Sequence, residues 1–263
     1  MSEELVRLAR QVGREAASLV RARRPEGRVD VTATKSSPTD VVTAVDTASE
    51  ELIRSRLLGE RPDDGFLGEE GDGIEGASGV VWVVDPIDGT VNFVYGIPAY
   101  AVSIAARVDG VVRAAYVTNV ASGEEWGAVR GAGSWRWVAD ERRALTPQPV
   151  AELSQALVGT GFSYSREVRE KQAAAVGRLL PQVRDVRRIG AAALDLCSLA
   201  EGRLDAYVEQ GLKPWDVAAG GLVAHEAGIV VTGLDGAPDE RLVMATHHAL
   251  AEEYFEVVRA CGF

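Results

Sequence analysis

The strongest constraint on this chain is an apolar run, Val80-Val81-Trp82-Val83-Val84, that leads directly into Asp85-Pro86-Ile87-Asp88-Gly89-Thr90. Side chains alternate across a strand, so an uninterrupted apolar run describes a strand buried on both faces. Such a strand needs cover above and below, which predicts a layered α/β or α+β fold. Both carboxylates then emerge at the strand's C-terminal end, where open sheets commonly place ligands. Pro86 restricts the backbone between them, and Gly89 permits close approach of a ligand. A helix opening near Thr90 would present free N–H groups to a phosphate.

The rest of the chain supplies the layers. Leu5, Leu8, Val12, Ala16, Leu19 and Val20 recur at helical spacing. A second helix is expected over residues 46–58, with Val45, Ala48, Leu52 and Leu57 toward the core. Between the two, Thr34-Lys35-Ser36-Ser37-Pro38-Thr39-Asp40 has the composition of a mobile loop or hairpin. Residues 61–65 read as a turn. Strands are expected over 101–108, 111–117 and 125–129, the first two joined by an Asp109-Gly110 hairpin, with Gly131-Ala132-Gly133 closing the region. Pro147-Gln148-Pro149 divides residues 1–146, an α+β half with most of the candidate ligands, from residues 147–263, an α/β half completing one compact unit. There, strands are expected at 157–160, 204–208, 229–232 and 242–245. Helices are expected at 165–180, 191–200 and 215–227, with a terminal helix to about Arg259.

Charge and composition exclude several functions. The net charge of −11, from 28 basic and 39 acidic residues, argues against direct nucleic-acid binding. An acidic protein still binds phosphate where cations cover the repulsion. No stretch approaches the ~20 apolar residues that span a bilayer. Met1-Ser2-Glu3-Glu4 lacks the basic region of a signal peptide, and Cys197 and Cys261 form no disulfide or metal-binding framework. A cytoplasmic location is expected.

Two further acidic segments accompany the first: Gly68-Glu69-Glu70 and Trp215-Asp216-Val217-Ala218-Ala219-Gly220. Taken singly, each is what a solvated turn or a helix cap also uses. Taken together, they are hard oxygen donors from separate segments, the kind of set Mg²⁺ prefers. Two such ions can hold the attacking and leaving oxygens of a phosphate ester. Competing phosphatase chemistries fit poorly. Cys197 and Arg203 have the C-x₅-R spacing, but they sit in a small-residue helix pattern without a phosphate-cradling loop. Asp85 and Asp88 are out of register for the D-x-D of aspartyl-phosphate enzymes. His225, His247 and His248 have no partners at metal or nucleophile spacing.

These segments resemble the inositol monophosphatase family, within the lithium-sensitive, Mg²⁺-dependent phosphatase superfamily. The resemblance rests on the three acidic segments, on Lys35 with Asp40-Val41-Val42-Thr43-Ala44-Val45-Asp46, and on their order along the whole chain. Arg187-Arg188-Ile189-Gly190-Ala191-Ala192-Ala193 with Asp195-Leu196-Cys197 is closest to bacterial, particularly actinobacterial, members.

The resemblance implies a layered α-β-α-β-α sandwich, usually dimeric, and two or three Mg²⁺ per active site. It implies that Glu69, Asp85 and the Ile87 carbonyl hold one ion, and that Asp85, Asp88 and Asp216 hold another. Glu69 and Thr90 would orient the attacking water, with Asp46 accepting from the Thr90 hydroxyl. Gly89 and Thr90 N–H groups would bind phosphate, and Gly190, Ala191, Ala192 and Glu209 would face the alcohol. Lys35 and Glu70 are accessory positions. The implied reaction is hydrolysis of myo-inositol monophosphate by metal-activated water. The alternatives are fructose-1,6-bisphosphatase or another small phosphomonoesterase acting on histidinol phosphate or 3′-phosphoadenosine 5′-phosphate. A further alternative is a non-catalytic partner of transcription or ribosome maturation.

Overall fold

A computed structural model describes residues 1–25, 27–34 and 41–263; Lys35 through Asp40 lie outside the described residues. The first part of the chain runs α1 (Ser2–Arg23), β1 (Ala33–Thr34), β2 (Val41–Val42), α2 (Ala44–Glu60), β3 (Gly65–Gly68), β4 (Val80–Asp88), α3 (Thr90–Tyr95) and β5 (Ala101–Val108). It continues with β6 (Val111–Asn119), β7 (Glu125–Val129), β8 (Gly133–Val138) and β9 (Glu141–Ala144). The second part runs β10 (Leu157–Thr160), α4 (Arg166–Leu179), β11 (Asp185–Arg187), α5 (Ala192–Ala200) and β12 (Ala206–Glu209). It ends with α6 (Pro214–Glu226), β13 (Ile229–Thr232), β14 (Val243–His247) and α7 (Ala251–Cys261).

Strands β3 to β9 form a seven-stranded sheet in chain order, with β3 and β4 parallel and the rest antiparallel. The second sheet has the order β11-β10-β12-β14-β13. The period of β4 decides the layering. Trp82 and Val84 join Leu5 and Val12 of α1 and Ile53 and Leu57 of α2 in one core, while Val83 joins Ala193 of α5 and Leu222 of α6 in another. The second sheet repeats the device: Tyr207 and Val243 face Leu196 and Ala224, and Val208 and Met244 face Leu179 and Tyr254. The result is helix, sheet, helix, sheet, helix. Burying side chains of this size is worth roughly 1.5–3 kcal/mol each before entropy is subtracted. Among the described residues, no helix is long and apolar enough to cross a membrane.

Several boundaries differ from the sequence expectation. Gly131-Ala132-Gly133 does not close the first sheet, because β8 and β9 extend it. Their hairpin turns at Ala139 and Asp140, both at positive φ (49° and 65°), where no glycine marks the turn. The Asp109-Gly110 hairpin adopts positive φ as its sequence suggests. Helix α2 buries Val45, Asp46, Ser49, Glu50, Ile53 and Leu57, so half of its inner stripe is polar; Ala48 and Leu52 lie at the margin. Gly65, expected at the end of a turn, begins β3, and a further short strand, β11, joins the second sheet.

Candidate active site

Strand register builds the acidic cluster. β3 runs parallel to β4 with Gly68 opposite Val84, so the next residues on each strand are Glu69 and Asp85. The chain then returns along β3, where Ile74 and Phe66 exchange both backbone hydrogen bonds. The β4–β5 register shifts between Asp85 and Asp88, a bulge that carries both carboxylates to the strand end. Asp216 arrives from α6. Pro214 occupies the first turn of that helix, and Asp216 Oδ2 accepts the Lys213 N–H at 2.6 Å. Ligand oxygens of Asp85, Asp88 and Asp216 all lie within 4.8 Å of one another.

Among the described residues, no basic side chain forms an ion pair with Asp85, Asp88 or Asp216. Burial first, then the Glu69, Asp88 and Asp216 charges, pushes the Asp85 carboxyl far above its usual range. Burial raises Asp88 to about 7 against the opposing Ala193 hydrogen bond, and burial with the Asp88 charge raises Asp216 to about 8. The charges acting most strongly on all three are other carboxylates. Buried anions are ordinarily paired with cations or metals. Three hard-oxygen donors that repel one another across less than 5 Å therefore fit a divalent cation.

The surrounding polar groups are held from several directions. Gly89 has φ +90°, and a Cβ there would meet the Ala99 and Gly190 carbonyls at 2.9 and 3.0 Å. Thr90 Oγ1 lies 3.0 Å from both Asp46 Oδ1 and the Ile87 carbonyl oxygen, and its one proton is shared between these acceptors. Asp46 also closes the capping box of α2, accepting from the Thr43 N–H at 2.9 Å and from the Thr43 hydroxyl. Burial raises its carboxyl above the ordinary value despite the Thr43 and Thr90 hydrogen bonds.

One turn further along α2, Ser49 Oγ donates to the Pro86 carbonyl at 3.2 Å, and Glu50 Oε2 accepts the Glu70 N–H at 2.8 Å. A single helix face thus supports both acidic loops. The support requires Gly68, whose Cβ would fall 2.2 Å from the Glu50 carboxylate.

The α5 side completes the rim. Asp88 accepts the Ala192 and Ala193 N–H groups at 3.2 and 2.7 Å, so the helix N-terminus rests on a candidate ligand. Asn92 Nδ2 reaches the Ala99 carbonyl at 2.7 Å and the Ile189 carbonyl at 2.8 Å, tying α3 to the Gly190 segment. Ala191 and Ala192 are almost fully buried. Glu209, at the end of β12, accepts from the Tyr207 hydroxyl at 2.5 Å, and burial raises it to about 7.

Sequence reading did not single out Ser49, Glu50, Asn92, Tyr207 or the carboxyl of Asp195. Asp195 is buried with neither oxygen hydrogen-bonded among the described residues. Its only local signal is an aspartate inside an apolar helix. Cys197 is fully buried and its thiol is pushed up by burial, so it is no nucleophile.

Comparison with known proteins agrees with this geometry. The profile described as the inositol monophosphatase family matches residues 1–262. The inositol-1-monophosphatase SuhB of Mycobacterium tuberculosis is 52% identical over 234 residues, covering 84% of this chain and 81% of the relative. A protein of Vibrio cholerae named Nus factor SuhB is 38% identical over 236 residues, covering 89% of this chain and 85% of its own. The solved structure of Mycobacterium tuberculosis SuhB superposes with a TM-score of 0.86 at 46% identity, covering 100% of this chain and 98% of that one. With the fold, the register of its acidic strands and the full-length match in agreement, the chain belongs to the inositol monophosphatase family.

Proposed function

We propose that this chain hydrolyses small phosphorylated alcohols, myo-inositol monophosphate foremost, with Mg²⁺ held by Asp85, Asp88 and Asp216 together with Glu69 and the Ile87 carbonyl. The observation that supports the reading is the convergence of two buried carboxylates and one half-buried one, with no cation paired to them among the described residues. When bound, the ion supplies positive charge to the phosphate and makes water a competent nucleophile at neutral pH.

The remaining steps belong to the chain's own groups. Thr90 donates its proton to Asp46, so toward a water its oxygen can only accept. That contact turns a lone pair of the water toward phosphorus. Attack forms the new P–O bond as the ester P–O bond breaks; the water's proton passes to the Glu69 carboxylate, and the leaving alkoxide is protonated by solvent. The Gly89 and Thr90 N–H groups bind the phosphate, and Glu209 and the Gly190–Ala192 segment lie on the side assigned to the alcohol. Glu70 is accessory, in the loop beside Glu69, and Lys35 keeps the accessory role that the family resemblance implies. The active unit is a homodimer in this reading.

Turnover of inositol monophosphate in labelled water tests the mechanism. One label is expected in phosphate from the first turnover, with activity lost in chelator and restored by Mg²⁺. Thr90→Val is expected to keep metal affinity while losing at least ~10²-fold in kcat, the lower end of the range for positioned proton-transfer groups. A trapped phospho-enzyme would overturn the reading, as would full turnover in excess chelator.

The name of the Vibrio cholerae relative favours a second role as a partner of transcription factors. It does not replace catalysis, because a scaffold gains nothing from uncompensated buried carboxylates, which destabilise the fold.

A further inference from the structure

A cavity of about 710 Å³ runs along α6 between the two sheets, and none of Asp85, Asp88 and Asp216 lines it. Its volume is that of a small-molecule site. Most of its wall is apolar: Val217 and Leu222 of α6, Val112 of the first sheet, Val231 and Val243 of the second.

Two guanidinium groups stand at one end. Arg107 pairs across β5 and β6 with Val112, whose carbonyl accepts Arg130 Nε at 2.7 Å. Both arginines are half-buried, and neither has a carboxylate partner among the described residues. Of the other half-buried arginines, Arg10, Arg54, Arg61 and Arg136 each contact an acid, and Arg24 is held by two backbone carbonyls. The acids that line the far side of the cavity are already engaged: Asp239 by Arg241 at 2.6 Å and Glu240 by Lys213 at 2.8 Å. In a chain of net charge −11, two unpaired, partly desolvated cations facing one apolar chamber are a specific provision.

We propose that this cavity binds a small amphiphilic anion, an apolar body bearing one carboxylate, sulfonate or phosphate. The head group meets Arg107 and Arg130, and the body lies against α6 and the second sheet. Charge complementarity selects the class. A neutral apolar molecule leaves both cations without a partner, and a bare inorganic anion leaves the apolar wall wet. The claim stands whether or not the chain hydrolyses phosphate esters.

The probe is anilinonaphthalene sulfonate, titrated against the intact protein by fluorescence, with decanoate and decanol as competitors. Saturable binding is expected that decanoate displaces and decanol does not. Arg107→Gln with Arg130→Gln is expected to weaken binding at least ~10-fold, as for loss of charge-assisted hydrogen bonds.

Gly221→Leu gives an independent test. A Cβ at Gly221 has only Val217 Cγ1 nearby, at 3.3 Å, so the new side chain enters the cavity while helix propensity improves. This variant is expected to stay folded and lose the probe. Equal binding in wild type, the arginine variant and Gly221→Leu would overturn the proposal, as would displacement by decanol as readily as by decanoate. A change of oligomeric state in Gly221→Leu, with no probe binding to wild type, would assign the cavity to a subunit contact and also overturn it.

Discussion

One buried carboxylate and one carboxylate cluster in this molecule are solved in opposite ways. Glu125 lies beneath α1 with 8% of its surface exposed. It accepts from Arg14 at 2.7 and 2.8 Å, Arg10 at 3.0 Å and the Tyr116 hydroxyl at 2.6 Å. Burial alone would raise its carboxyl, but those hydrogen bonds outweigh burial and hold it below its ordinary value. Asp85, Asp88 and Asp216 are pushed up instead, and by one another. The first is complete as the chain folds. The second has no basic partner among the described residues, which is why we propose that it holds a cation. A buried charge that carries its own counter-ion holds structure together, whereas one that lacks it marks where a ligand belongs.

The comparison breaks most readily at Asp88. Asp88→Asn keeps the shape and removes one anionic oxygen. Phosphatase kcat/KM is expected to fall at least ~10²-fold, about 2.7 kcal/mol of transition-state stabilisation. Near-normal kinetics on inositol monophosphate would show that the cluster is not a site.

Glu125→Ala tests the other arrangement. It strands the Tyr116 hydroxyl and leaves Arg10 and Arg14 with Asp140 alone, and is expected to cost about 2 kcal/mol in urea unfolding, less than a fully buried pair because Asp140 remains and Arg14 is half-exposed. Activity per folded molecule is expected to stay unchanged. A large kinetic effect with no loss of stability would reverse the assignment.

Asp85→Asn sharpens the contrast. In chelator the variant is expected to be more stable than wild type by on the order of 1 kcal/mol, since it relieves repulsion among neighbours. In Mg²⁺ the order is expected to reverse. Thermal melts in both buffers read this directly.

The pH dependence has opposite signs at the cluster and at Glu125. A carboxyl raised in the folded state leaves the native protein holding more protons than the unfolded one, so stability falls as pH rises. For the metal-free protein the window runs from the ordinary value of 3.8, through about 7 for Asp88, to about 8 for Asp216. Glu125, lowered from 4.5, contributes stability above that value and loses it as pH falls through its folded value. Metal-free unfolding is therefore expected to show a decline in stability toward pH ~8 that Asp85→Asn flattens and Glu125→Ala does not. Equal slopes in both variants would place the repulsion elsewhere.

Much of the frame was legible along the chain. Strands β5, β7, β10 and β13 coincide with their apolar runs, α5 and α6 fall within a residue of their patterns, and α1 extends three residues beyond its pattern at each end. Three features were not legible. The β8–β9 hairpin turns through Ala139 and Asp140, residues that do not advertise positive φ. The inner face of α2 carries Asp46, Ser49 and Glu50, which a hydrophobic pattern assigns to solvent. Asn92 bonds to the distant Ile189 carbonyl, and the carboxylates acting on Asp195 are Glu209 and Asp88 on other segments, so the partners of neither are legible locally.

By itself, then, the sequence determined that β4 is buried on both faces, that carboxylates stand at its end, and that helices alternate with strands around it. These follow from side-chain period and turn chemistry, which act over a few residues. The tertiary structure decided that Glu69 lies beside Asp85, that Asp216 comes to them from α6, and that Arg107 and Arg130 share a chamber with that helix. Those are distances between segments far apart in the chain. They are set by strand register and by how closely small residues let the layers approach, and neither is written in any single window of residues.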